Sequence, residues 1–234
     1  VLRRLAVFRA GFTLESAAAV AAGAALPAAA VIDGVVSLSA KSLVVADMNA
    51  EVAHFRLLFT TRQYAMGKLV ASAELDVVRQ RHAAHFRHMS RDWARELGAQ
   101  PSAQGVARFC RVVDDIRAAL DWSFSPSGDE EIGIALTSET LELRFCLGFV
   151  DDFKRHVDMA LERVARMRPP QPDLELRLTA GWYHLSGQSP THAHRQAEFH
   201  ERILRLCDMS GSHRDRIEAL YGLLVGAFGQ GRYD

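Results

Sequence analysis

The sequence predicts a mainly α-helical chain with one short β-hairpin, and three observations predict it. Residues 2 to 41 read as three helix-type segments. Two β-prone runs then flank a polar turn. From Asp76 onward, apolar residues recur at helical spacing and no β-type alternation appears. With 234 residues, 49% hydrophobic and 24% charged, the chain has material for a sizeable core in one large domain or two small ones.

The first helix is expected over residues 2 to 10, with Leu5, Phe8 and Phe12 on its apolar stripe and Gly11 closing it. Thr13 has the chemistry of an N-cap for "LESAAAVAAG", with Ser16 where a capping box carries Glu, and Gly23 stops that helix. A third helix is expected from Ala28 to Lys41, presenting Ile32, Val35, Val36 and Leu38. The runs "SLVVAD" and "HFRLLF" on either side of "MNAE" read as a hairpin. Three helices followed by a two-stranded hairpin make a winged helix, placed at residues 1 to 74. The second strand runs directly into a helix from Thr60, whose Ala65, Met66, Leu69 and Val70 form a core-facing edge. Pro and Gly clusters are missing from residues 68 to 97, so a stiff helical lever is expected through Val77 and Val78 into "RQRHAAHFRHMSRDWAREL".

Residues 75 to 234 read as a helical domain. Its expected stripes are Phe109, Val113, Ile116 and Leu120; Phe153, Val157, Leu161 and Val164; Leu174, Leu178, Gly181 and Leu185; and Ile217, Leu220, Leu224 and Phe228. "SPSGDEE" and "MRPPQPD" break it. Gly148, Gly187 and Gly229 recur about every 40 residues between helix-type segments, which suits stacked helix pairs of the tetratricopeptide kind with a longer unit than usual. The array reads as truncated at its C-terminal end, inside such a unit.

Lys+Arg and Asp+Glu balance at 28 each, which argues against a dedicated nucleic-acid binder. Cys110, Cys146 and Cys207 are odd in number and far apart, so no disulfide framework is implied and a reducing cytoplasm suits them. The alanine-rich start resembles a secretion signal, but Arg9 and Glu15 interrupt the apolar core a signal requires. No uncharged apolar run reaches ~18 residues, so no membrane span is expected.

Five blocks, "LRRLAVFRAGFTLESAAAV", "VVSLSAKSLVVAD", "FRLLFTTRQYAMGKLVAS", "RQRHAAHFRHM" and "DDIRAALDWSF", occur in the order seen in bacterial regulator-type STAND ATPases, and the chain resembles that family over residues 2 to 165. The resemblance implies a nucleotide-binding module preceding the winged helix and a tetratricopeptide-like sensor following it. It also implies ATP or ADP as cofactor of the full-length parent. No G-x-x-x-x-G-K-[ST] loop occurs here, so no cofactor is expected in this chain itself and the sequence reads as an excised piece of a longer regulator. Related members carry a Met-His-Asp triplet; aligning Arg62 with the arginine after it puts Leu57, Leu58 and Phe59 in its place. The resemblance leaves Arg56 and Arg62 as candidates for contact with the nucleotide-binding module, against a reading of both as solvated surface arginines.

Other candidates are weighed against plainer roles. His82, His85 and His88 fall at i, i+3, i+6, a spacing that drifts about 60° around a helix, so a packed or surface face competes with metal binding. The third helix offers only Lys41 and carries Asp33, so direct DNA binding by this chain is not expected. Phe145, Phe149, Trp182 and Tyr183 are the candidates for a ligand or partner groove, with Trp122 a further aromatic of the same kind; aromatics at helical spacing serve as core more often. The pairs Asp114–Asp115 and Asp151–Asp152 point about 100° apart on a helix and make no acid/base dyad.

These readings point to a regulatory and sensor piece of a STAND-type transcriptional regulator, its partners being its own nucleotide-binding module and an effector on the helical repeats. The alternative is a helical interaction scaffold with a DNA-binding winged helix. No enzyme activity is expected of the chain itself.

Overall fold

The computed structural model describes residues 1–47, 52–97, 103–141, 150–186 and 193–229. It is mainly α with one antiparallel two-stranded hairpin, and it divides into two compact units, Val1–Ile132 and Gly133–Asp234. The boundary expected after residue 74 therefore falls inside the first unit.

In the first unit, α1 (Leu2–Leu5) is shorter than the expected helix over 2 to 10. Beyond it, the amides of Arg9 and Ala10 bond to the carboxylate of Asp115 rather than to carbonyls one turn earlier, so the helix cannot continue. Phe8 and Phe12 are buried all the same. Phe12 exchanges two backbone hydrogen bonds of 2.8 Å with Phe55, which adds a one-residue bridge to the hairpin. Helix α2 (Leu14–Ala21) starts at Thr13, whose hydroxyl accepts from the Ser16 amide at 3.1 Å. Helix α3 (Ala28–Ala40) buries Val31 and Val35 and leaves Val36 outward. Strands β1 (Val44–Asp47) and β2 (His54–Leu57) pair Val44 with Leu57 and Asp47 with His54; the expected "MNAE" turn lies outside the described residues.

Helix α4 (Phe59–Ala71) buries Ala65 and Leu69, each apolar burial of the Leu type contributing about 1.5–3 kcal/mol, while Val70 is exposed. The expected continuous lever is interrupted. Helix α4 ends at Ala71 and α5 (Leu75–Leu97) begins only after a turn in which Ala73 takes a φ of 56°. Ser72 Oγ satisfies the Leu69 carbonyl at 2.8 Å, and Glu74 is held by Arg3 and Arg4. The sequence lacks Pro and Gly there, yet an alanine in the left-handed region makes the corner, at a cost of about 1 kcal/mol or more that the Glu74 bonds offset.

Helix α5 packs on α2 and on α7 (Val113–Ser123). The stripe expected from Phe109 to Leu120 spans two helices: α6 (Ala103–Cys110) stops, Val112 starts α7, and Phe109, Val113, Ile116 and Leu120 are all buried. Asp129 caps α8 (Glu130–Glu139), its carboxylate accepting from the amides of Glu131 and Ile132.

The second unit contains α9 (Val150–Val164), α10 (Pro172–Ser186), α11 (Ala193–Met209) and α12 (His213–Gly229). Helix α10 packs against α9, α11 and α12, so each helix meets its neighbour and α10 also meets the one after. The stripe Phe153, Val157, Leu161 and Val164 is buried as expected. On α10 the core is formed by Leu176, Leu178, Thr179, Trp182 and Tyr183, offset from the expected stripe. The last stripe is reversed: Ile217, Leu220 and Leu224 face outward, while Asp215, Ala219 and Leu223 are buried. Asp215 takes that inner position because Arg177 of α10 binds its carboxylate in a fork at 3.1 and 3.2 Å. Gly148 and Gly187 lie outside the described residues, and Gly229 is the last residue of α12. No helix among the described residues is long and apolar enough to cross a membrane.

Candidate functional site

Three segments distant in sequence meet at one carboxylate in the first unit. Asp115, in the first turn of α7, is fully buried. Its Oδ1 accepts from the Arg9 amide at 2.7 Å and its Oδ2 from the Ala10 amide at 3.0 Å. His82 of α5, also buried, sets Nε2 3.0 Å from Oδ1. An ionised carboxylate only accepts hydrogen bonds, so His82 is the donor. The sequence builds this locally: Val113 and Ile116 turn the same face of α7 inward, and Asp115 beside them is the polar exception in an apolar stripe. Its neighbour Asp114 points to solvent and pairs with Arg117 at 2.7 Å, as their angular separation on a helix requires.

Aromatic rings enclose the bond. Phe8 lies 5.3 Å from His82 and 5.0 Å from Phe12, and Phe86 lies 4.8 Å from His82, with edge-on or tilted geometry. Rings that keep water out raise the strength of the charge-assisted bonds and the cost of breaking them. One turn along α5, His85 sets Nε2 3.0 Å from Ser16 Oγ in α2. Burial, and then the neighbouring His82 and His88, push the His85 imidazole down to about 4, so it packs as the neutral ring.

A second tie sits at the α4–α5 corner. Glu74 accepts from Arg4 Nη2 at 2.6 Å and Arg3 Nε at 2.9 Å, and these bonds, Arg4 first, hold its carboxyl down to about 2. Arg4 Nη1 also reaches the Ala21 carbonyl at 2.8 Å, while Arg81 of α5 bonds the Ala22 carbonyl. Two guanidinium groups thus satisfy the last carbonyls of α2, where the helix dipole favours positive charge. This arrangement holds the helices of the first unit in register through charged hydrogen bonds.

The residues singled out in the sequence go elsewhere. Arg56 is exposed on β2, and Arg62 is half-buried in the first turn of α4; neither joins the Asp115 cluster. Phe145 and Phe149 lie outside the described residues. Trp182 and Tyr183 are buried core residues of the second unit: Trp182 meets Phe199 edge-on at 4.4 Å, and the Arg195 guanidinium covers its face at 4.3 Å. The three histidines of α5 diverge, His82 to Asp115, His85 to Ser16 and the exposed His88 to Asp92 at 3.3 Å. Among the described residues, no group of three or more His, Cys, Asp or Glu side chains is placed to hold a metal ion. The exposed face of α3 carries Asp33 and Val36, with Lys41 just past its end, and so has no surplus of positive charge for phosphates. Sequence reasoning missed Asp115 as a structural anchor, because it weighed the Asp114–Asp115 pair only for acid/base work.

Comparison with known proteins finds relatives for part of the chain. It is 41% identical over 130 residues, 53% of its length, to proteins of Mycobacterium bovis and Mycobacterium tuberculosis provisionally named HTH-type transcriptional regulators. The match spans only 14% of those regulators. It is also 39% identical over 88 residues, 37% of its length and 22% of theirs, to uncharacterised proteins of the same two organisms. No family model and no solved structure matches it.

Proposed function

We propose that this chain is a regulatory segment of an HTH-type transcriptional regulator of the STAND ATPase kind, relaying an effector or partner bound on its helices to a nucleotide-binding module. The observation that carries the reading is the buried Asp115 carboxylate, which joins the backbone before α2 to α5 and α7. A switch needs a part that transmits a change of arrangement from one element to another, and a buried, fully bonded charge transmits it with little slack. The name of the mycobacterial relatives and the five-block resemblance support the regulator assignment. In this reading the winged helix is an internal clamp, Arg56 and Arg62 face the nucleotide-binding module, the array is tetratricopeptide-like, and the protein works in the cytoplasm.

The test uses the full-length regulator. Its gene is expected to encode a G-x-x-x-x-G-K-[ST] loop upstream of the segment, and release of a fluorescent ADP analogue reads the switch. Substituting Asp115→Asn is expected to change the basal release rate about fivefold or more, the lower end of ordinary coupling. An upstream sequence without the loop, or release unaffected by the substitution, overturns the reading. A second reading, DNA binding by the segment itself, is favoured by the name of the relatives alone; tight, sequence-selective gel shift at moderate salt by this chain would establish it.

A further inference from the structure

Helix α12 has two apolar faces, and among the described residues only one is covered. Ala219 and Leu223 are buried, with Asp215 tied to Arg177 of α10. On the opposite side Ile217, Leu220, Tyr221, Leu224 and Val225 are 68%, 44%, 64%, 53% and 44% exposed. Their spacing, i, i+3, i+4, i+7, i+8, is that of a core-facing stripe. A helix apolar on both sides belongs inside a stack, whereas the outermost helix of a stack of repeats needs a polar outer face to remain soluble. We infer that the outer face of α12 is the docking surface for a further amphipathic helix of the same stack.

Two observations select this occupant. The first is continuity: α10 is already covered on more than one side, by α9, α11 and α12, and the exposed stripe of α12 repeats the chemistry of those interfaces. The second is size and charge. Five partly exposed side chains offer on the order of half the ~800 Å² per partner of a standard interface between separate molecules. One helix laid along the stripe can cover that area when it belongs to the same stack. At the rim, Arg214 and Glu218 neutralise each other at 2.6 Å, so the face asks for Leu, Ile or Val and for no particular charge. The inference stands on the second unit alone and does not depend on the function proposed above.

The test joins a designed amphipathic helical hairpin, leucine on its inner face and glutamate and lysine on its outer face, after Asp234 of the full chain. Thermal unfolding is followed by circular dichroism, and exposed apolar surface by binding of the dye ANS. The extension is expected to raise Tm by about 5 °C or more and to reduce dye binding. The double substitution Leu220→Glu and Leu224→Glu is expected to leave the unextended chain folded, since both side chains face water, and to cancel the gain in the extended one. If that pair unfolds the chain, Tyr221→Lys serves in its place. An extended chain with unaltered Tm and dye binding overturns the inference. So does a saturating dimer of the unextended chain in sedimentation equilibrium that the substitutions abolish, because a second copy is then the occupant.

Discussion

Replacing Asp115 with asparagine removes one charge at the point where three segments meet, and the outcome follows from the geometry. The carboxylate accepts from two backbone amides and one imidazole. Asparagine offers a single acceptor oxygen, and its amide nitrogen faces a donor wherever the ring of His82 does not adapt. At least one buried amide, that of Arg9 or Ala10, loses its partner. Each hydrogen bond to a charged group is worth about 1.5–3 kcal/mol, and stranding a buried donor costs about 1–3 kcal/mol. Loss of the desolvation penalty of the carboxylate offsets part of this, so a net cost of about 3 kcal/mol is expected. That is a large share of the roughly 5–15 kcal/mol that stabilises a typical domain. Hydrogen exchange by NMR is the direct assay, because it reads the two amides individually. Protection of the Arg9 and Ala10 amides should fall by about two orders of magnitude, as ~3 kcal/mol implies. Asp114→Asn, the exposed neighbour, should alter stability by less than ~0.5 kcal/mol and leave both amides protected. Equal protection in Asp115→Asn and the parent would refute the argument.

Acid should act on the first unit in two successive windows that meet near pH 4. His85 is neutral in the folded chain down to about pH 4 against an ordinary 6.5, so the unfolded state takes up a proton first; its contribution is complete above pH 6.5 and lost as pH falls toward 4. His85→Gln should flatten the urea midpoint over that range, and an unchanged pH dependence would contradict the assignment. Glu74 is held down to about 2 from 4.5, so its contribution is present above pH 4.5 and lost on descent to about pH 2. Because the pair with Arg3 and Arg4 is partly solvated, Glu74→Gln should cost only about 1 kcal/mol at neutral pH and less in high salt, checked by urea unfolding at two ionic strengths. Gly128→Ala should be more damaging, by about 2 kcal/mol or more. The added Cβ would stand 2.0 Å from the Trp122 carbonyl oxygen and 2.4 Å from that of Ser123, backbone atoms that cannot swing aside. A Tm equal to the parent's would refute that placement.

Local chemistry was legible in the sequence where a side chain acts on its own neighbourhood. Thr13 caps α2 through an amide three residues on, and the β-prone runs around residues 48 to 51 pair as read, because both depend on short-range rules. Features set by distant partners were not legible. The first helix stops early because of an acid more than a hundred residues away. The lever breaks at Ala73 because Glu74 finds Arg3 and Arg4. The apolar stripe of α12 identified a face correctly but not its side, since periodicity cannot say which of two faces meets the neighbour. There a buried Asp215 decided, through Arg177. Of the candidate site, the histidines of α5 stood out in the sequence, but their partners Asp115 and Ser16, 33 and 69 residues away, did not.

The bond between Arg9 and Asp115 spans 106 residues of chain. At about 5–20 residues per second of synthesis, the amides of Arg9 and Ala10 wait roughly 5–20 s in the nascent chain before their acceptor exists. The helices and hairpin of residues 1 to 74 can form in that time, yet their first turn has no anchor until α7 emerges. A fragment ending at residue 74 would stay in that waiting state permanently, so the smallest piece able to complete its own N-terminus must reach past Asp115.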